Sequence, residues 1–194
     1  MNLKKLFFAA VIVLSANASF AQADSKIAAH LVTISIPEVA LLDLEAPSTA
    51  ITLAGTLPLN AEAGLPITFG AEATNSTIWM NYSSIVKGAL SRNVSVAITD
   101  GSVPAGLKLT VLASAASGDG AGTKGDASTV LTLSGDLQSI ITGIGSTWTG
   151  DGVNKGRNLT YTLDYAGTAT DYAALRFVDT DAPLTITYTL SDNL

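Results

Sequence analysis

Leu184-Thr185-Ile186-Thr187-Tyr188-Thr189-Leu190 alternates apolar and hydroxylated side chains without interruption. Successive side chains of an extended chain point to opposite faces, so a period of two gives a ribbon with one greasy face and one wet face. Such a ribbon closes a two-layered antiparallel sheet, and most of the preceding chain offers strands for it to pair with or pack against. His30 to Ile36 alternates in the same way, with Val32, Ile34 and Ile36 on one face, and Pro37 ends the run because proline cannot donate to a ladder.

Between these two stretches the sequence predicts short strands over Val39–Leu44, Ala50–Ala54 and Ile67–Phe69, and a core strand over Thr77–Tyr82 carrying Ile78, Trp79 and Tyr82. Arg92–Thr99 and Leu107–Ala113 alternate about the turn residues Asp100 to Pro104. Further strands are expected over Thr129–Leu133, Ser139–Thr142 and Leu159–Asp164, with two glycine-rich loops, Ser117–Asp126 and Gly143–Gly156. Ser83–Leu90 reads as a loop or one helical turn, and Asp171–Phe177 as a short helix. About ten closely spaced strands without a long helix define an all-β fold, an antiparallel β-sandwich of immunoglobulin-like or pilin-like type. An outer-membrane barrel needs outward apolar bands and aromatic girdles, whereas the alternate faces here are Thr, Ser and Asn.

The N-terminus sets the compartment. Lys4 and Lys5 precede an apolar run from Leu6 to Leu14 and the small residues Ala21-Gln22-Ala23, the pattern of a secretory signal with its cleavage site. The run is about half the length of a membrane span. Residues 1–23 therefore read as a signal peptide and 24–194 as a single domain, exported to the periplasm, the cell surface or the medium. Removing 23 of the 194 residues leaves 171, with 8 basic residues against 16 acidic ones once Lys4 and Lys5 are gone. The basic residues are scattered singly, which argues against nucleic acid as a partner. There is no cysteine, so disulfides, thiolate metal sites and cysteine nucleophiles are excluded. At 47% hydrophobic residues, a chain of this length can build its core without such staples.

No nucleophile elbow, zinc-protease helix motif or phosphate loop occurs, and His30, the sole histidine, has no partner that spacing can name. The chain reads as non-catalytic. Two features point instead to binding. Gly118-Asp119-Gly120 and Gly150-Asp151-Gly152 each lead to a Lys-Gly pair, and if the two loops share one end of the sandwich, Asp119 and Asp151 with turn carbonyls suit Ca²⁺, which takes oxygen ligands. Trp148, set among Gly, Ser and Thr, is placed to stack on a sugar ring. Asp179 and Asp181 form a further acidic pair before Pro183.

Val32 to Leu44, Trp79 to Ser84, the Val103-Pro104-Ala105-Gly106-Leu107 turn and the ending Leu184 to Asn193 together resemble a group of small secreted bacterial β-sandwich proteins. The final strand with Tyr188 is loosely similar to those of fimbrial subunits and spore-coat-U-like proteins, from which this chain departs in lacking a cysteine pair and in continuing for six residues after Tyr188. The likeness implies a structural or adhesive surface subunit associating through edge strands, in which Asp24–Ile36 is the segment donated to a neighbour. An extracellular glycan- or calcium-binding module is the alternative that the loops and Trp148 suggest.

Overall fold

The computed structural model describes residues 26–27, 29–48, 50–55, 63–67, 69, 71–167, 169–176 and 183–193. The expected signal peptide, and the acidic pair Asp179 and Asp181, lie outside these residues. The chain divides into two units, Met1–Ile36 and Pro37–Leu194.

The second unit is all-β and antiparallel. Its strands are β1 (Val39–Glu45), β2 (Thr74–Ile85), β3 (Arg92–Asp100), β4 (Leu107–Ala113), β5 (Ala121–Ala127), β6 (Leu131–Thr132), β7 (Gln138–Trp148), β8 (Arg157–Tyr165) and β9 (Thr185–Asp192). A 3-10 turn, Ala71–Ala73, precedes β2, and a helix α1, Ala169–Ala174, follows β8. The nine strands among the described residues belong to one hydrogen-bonded sheet in the order β6-β4-β8-β2-β7-β3-β9, with β1 on β2 and β5 on β7. The long strands β2 and β7 make this possible by changing partners along their length. Thr74 to Met80 pairs with β8, but Ser83 and Ser84 pair with Trp148 and Thr147 of β7.

Folding over buries one face. Ile78, Met80 and Tyr82 of β2, Val94, Val96 and Ile98 of β3, Leu109 and Val111 of β4, Ile140, Ile141 and Ile144 of β7, and Leu159 and Tyr161 of β8 form a single core. In β7 the register slips between Val94 and Ser95, whose partners are Ile141 and Ser139. The slip leaves Ile140 as the extra residue of a bulge, and it and Ile141 are both fully buried. The flanks meet inside at the Tyr161 and Tyr188 hydroxyls, 2.7 Å apart, although β8 and β9 lie four places apart in the sheet.

Two arginines complete the interior. Arg92 is 3% exposed and ties β3 to Glu38, to Asp192 of β9, to the carbonyls of Val39 and Ile85, and to the Ser84 hydroxyl. Arg157, equally buried, contacts no carboxylate among the described residues. It donates to the Tyr82 hydroxyl and to the carbonyls of Ser114, Lys124 and Gly125, so its charge is dispersed over dipoles.

Several sequence expectations change. Leu107–Ala113 forms β4 with the predicted bounds, and Ser83–Ile85 continues β2. About half of the glycine-rich stretches is strand: β5 spans 121–127 and β7 runs on to Trp148. Gly122 and Gly125 have φ near +90° and +70° and lie where a Cβ would overlap the Ser146 and Thr142 carbonyl oxygens, so glycine here permits close pairing of bulged strands and is not a loop signal. His30–Ile36, Ala50–Ala54, Ile67 and Phe69 belong to no strand. Ile51 and Leu53 pack on the core, but alternation without a ladder partner does not make a strand. Trp79, read as core, lies on the opposite face of β2 from Ile78, Met80 and Tyr82 and is half-buried.

The interior tyrosines make stability pH-dependent. Burial raises the hydroxyls of Tyr82, Tyr161 and Tyr188 above their ordinary value, Tyr188 furthest, with the Arg157 hydrogen bond partly offsetting this at Tyr82. Unfolded tyrosines ionise near pH 10, so above that the native state holds more protons than the unfolded state and stability falls. Each retained proton costs about 1.4 kcal/mol per pH unit. Urea midpoints are expected to be level from about pH 8 to 10 and to drop by about pH 11, less steeply when Tyr161→Phe and Tyr188→Phe are combined. A midpoint unchanged at the higher pH contradicts this.

Candidate functional site

One end of the sheet gathers the residues the sequence singled out. The β4–β5 connection and the β7–β8 loop lie side by side there: Ser117 and Gly156 exchange backbone hydrogen bonds, and a Cβ on Gly150 would touch Lys155 and Asp119. The expected meeting of the two Gly-Asp-Gly loops is thus present, but their aspartates face different partners. Asp119 Oδ2 accepts from Lys155 Nζ at 2.7 Å. That hydrogen bond, then the ammonium charge, holds the Asp119 carboxyl below its ordinary value and raises the lysine correspondingly. Both groups are exposed, so the pair acts as a surface clasp between loops.

Asp151 lies with Asp43 and Glu45 instead, one carboxylate oxygen of each within 4.8 Å of the others. Asp43 and Glu45 stand two apart on β1, on the face opposite Leu42, Leu44 and Ala46, which turn inward. No sequence motif marks them. The available signal was two acids at alternate positions of an otherwise apolar strand. Beneath the β7–β8 loop lies Asn81, directly opposite Asp43 in the β1–β2 ladder and 5% exposed. Its Nδ2 donates to the Gly152 carbonyl at 3.1 Å, and its Oδ1 has no hydrogen-bond partner among the described residues.

Trp148 ends β7 with its ring half exposed, the exposure that stacking on a sugar requires. His30 is exposed.

A second region surrounds β9. Its only ladder among the described residues is with β3, and its other edge carries no ladder among them. Ile186, Tyr188 and Leu190, the greasy face, are only half-buried, although they pack on the core. Leu184, Ile186 and Tyr188 border an apolar cavity of about 1070 Å³, which Leu44, Ile51 and Leu107 also line. In the first unit, Leu31, Val32, Ile34 and Ile36 are between 64% and 92% exposed.

No family model, curated protein or solved structure matches the chain. Among the described residues, no helix is long and apolar enough to cross a membrane.

Proposed function

We propose that the protein is an exported, non-catalytic structural or adhesive subunit of the cell surface, a pilin-like sandwich whose copies associate through edge strands. The observation that carries the reading is β9, an edge strand whose apolar face borders a cavity and is left half-buried. A row of unpaired backbone groups is a template for another strand, and strand addition satisfies them while alternate side chains fill the interior. The segment with the matching period is Leu31 to Ile36, whose apolar residues are exposed in the single chain.

The test is sedimentation velocity of the purified protein at rising concentration, beside a variant lacking Asp24–Ile36 and an Ile34→Asp variant, each checked for folding by circular dichroism. The intact chain is expected to self-associate, and both variants to sediment as monomers. A peptide spanning 24–36 added to the deletion variant should bind it. An intact chain that stays monomeric at high concentration, unchanged by the deletion, refutes the reading.

A further inference from the structure

Protein interiors are packed nearly as densely as organic crystals, with few voids larger than a water molecule. The hollow of about 1070 Å³ beside this core is instead the size of the pockets that take small ligands. Leu109 of β4 and Leu163 of β8 line it from one flank of the sheet, and Leu184 and Ile186 from the other. The Tyr161 and Tyr188 hydroxyls also border it, but they bond each other at 2.7 Å, so the interior offers a guest an almost wholly hydrocarbon surface. Among the described residues that line the hollow, Arg176 is the only charged one. It is exposed, which sets the cation at the mouth, and its Nη1 donates to the Ala173 and Leu175 carbonyls around the end of α1, which holds it there. We propose that the hollow takes the hydrocarbon chain of a single-chain amphiphile with an anionic head, the class of a long-chain fatty acid, and that Arg176 meets the head at the entrance.

The distribution of polar groups selects this class. A cavity lined by aliphatic and aromatic side chains stays dry and accepts apolar guests, and each methylene withdrawn from water adds to binding. Apart from Arg176, the polar side chains among the described lining residues are Thr52 and three tyrosines, with no amide or carboxylate to orient a polar ring. Recognition is therefore concentrated at one end, which suits a plain chain with one charged terminus. A guanidinium presents its donors in a planar fork that matches a carboxylate, and it repels a cationic head. The inference does not rest on self-association, because strand addition uses the backbone edge of β9, whereas the hollow lies behind that strand's apolar face.

The probe is cis-parinaric acid, a fatty acid that fluoresces in apolar surroundings. Added to the purified protein it should brighten to saturation, and palmitate should displace it. Hexadecanol, with the same chain and no charge, serves as the control for the head. Arg176→Gln should weaken palmitate about fivefold, the scale of an exposed ion pair, and leave hexadecanol unchanged. Leu163→Trp, which fills the hollow, should abolish binding of both, with circular dichroism as the check on folding. Arg176 is exposed, so its variant is expected to fold whatever Leu163→Trp does. The variant lacking Asp24–Ile36 should bind palmitate as the intact chain does, so a failure of self-association leaves this result standing, and the reverse. The absence of saturable brightening overturns the proposal, as does an Arg176→Gln effect that is the same for palmitate and hexadecanol. Binding confined to the deletion variant overturns it too, since the chain's own N-terminal segment is then the occupant.

Discussion

Replacing Arg157 by methionine is expected to lower stability by about 3–5 kcal/mol, a large part of what a domain of this size possesses. Two effects oppose each other. A buried guanidinium without a counter-ion carries a desolvation cost, and methionine removes it while keeping most of the side-chain volume. Against this, Arg157 is the donor for three main-chain carbonyls, on Ser114, Lys124 and Gly125, and for the Tyr82 hydroxyl. Lys124 keeps another side-chain donor, the Tyr82 hydroxyl at 2.5 Å. Leaving a buried acceptor unpaired costs about 1–3 kcal/mol, and two or three such losses exceed the relief. The carbonyls come from β5 and from the end of β4, so the substitution also loosens β5 from the core. Arg157→Lys should recover only part of the loss, since an ammonium is a point donor and cannot span acceptors that a planar fork reaches. Urea unfolding of the three proteins checks this, and a methionine variant as stable as the parent disproves it.

The second large effect separates backbone strain from steric overlap at matched geometry. Gly156 and Gly143 both have φ of +72°, in the region where a Cβ costs about 1–2 kcal/mol. Around Gly143 a Cβ would meet nothing within 4 Å, whereas on Gly156 it would overlap the Met80 carbonyl oxygen. That oxygen belongs to the central strand β2, where β8 pairs through Met80↔Arg157, and it cannot move without breaking the ladder. Gly143→Ala should therefore cost about 1–2 kcal/mol and Gly156→Ala at least about 2 kcal/mol more. Equal urea midpoints for the two variants would show that the strand yields. Gly156 also forms the isolated bridge to Ser117 at the end of the loop bearing Asp151, so its replacement should weaken the loop's seating.

What the residue pattern determined alone was the strand chemistry. β3, β4, β8 and β9 follow a period of two in which every second residue is apolar, and a one-residue error of register would turn a whole face to water; these strands lie where alternation places them. The pattern failed where it lacked a partner or where glycine had a different use. Ala50–Ala54 alternates but joins no ladder, and the glycines at 122 and 125 serve close approach inside β5 and not a turn. The acidic cluster was out of reach for a different reason. Asp43, Glu45 and Asp151 are more than a hundred residues apart along the chain at their extremes, and only the β1–β2 register and the path of the β7–β8 loop bring them together. Alternation is a local property and survives in the bare sequence, but which strand edge stays open and which acids meet are decided by pairings between distant segments, and those exist only once the sheet has folded over its core.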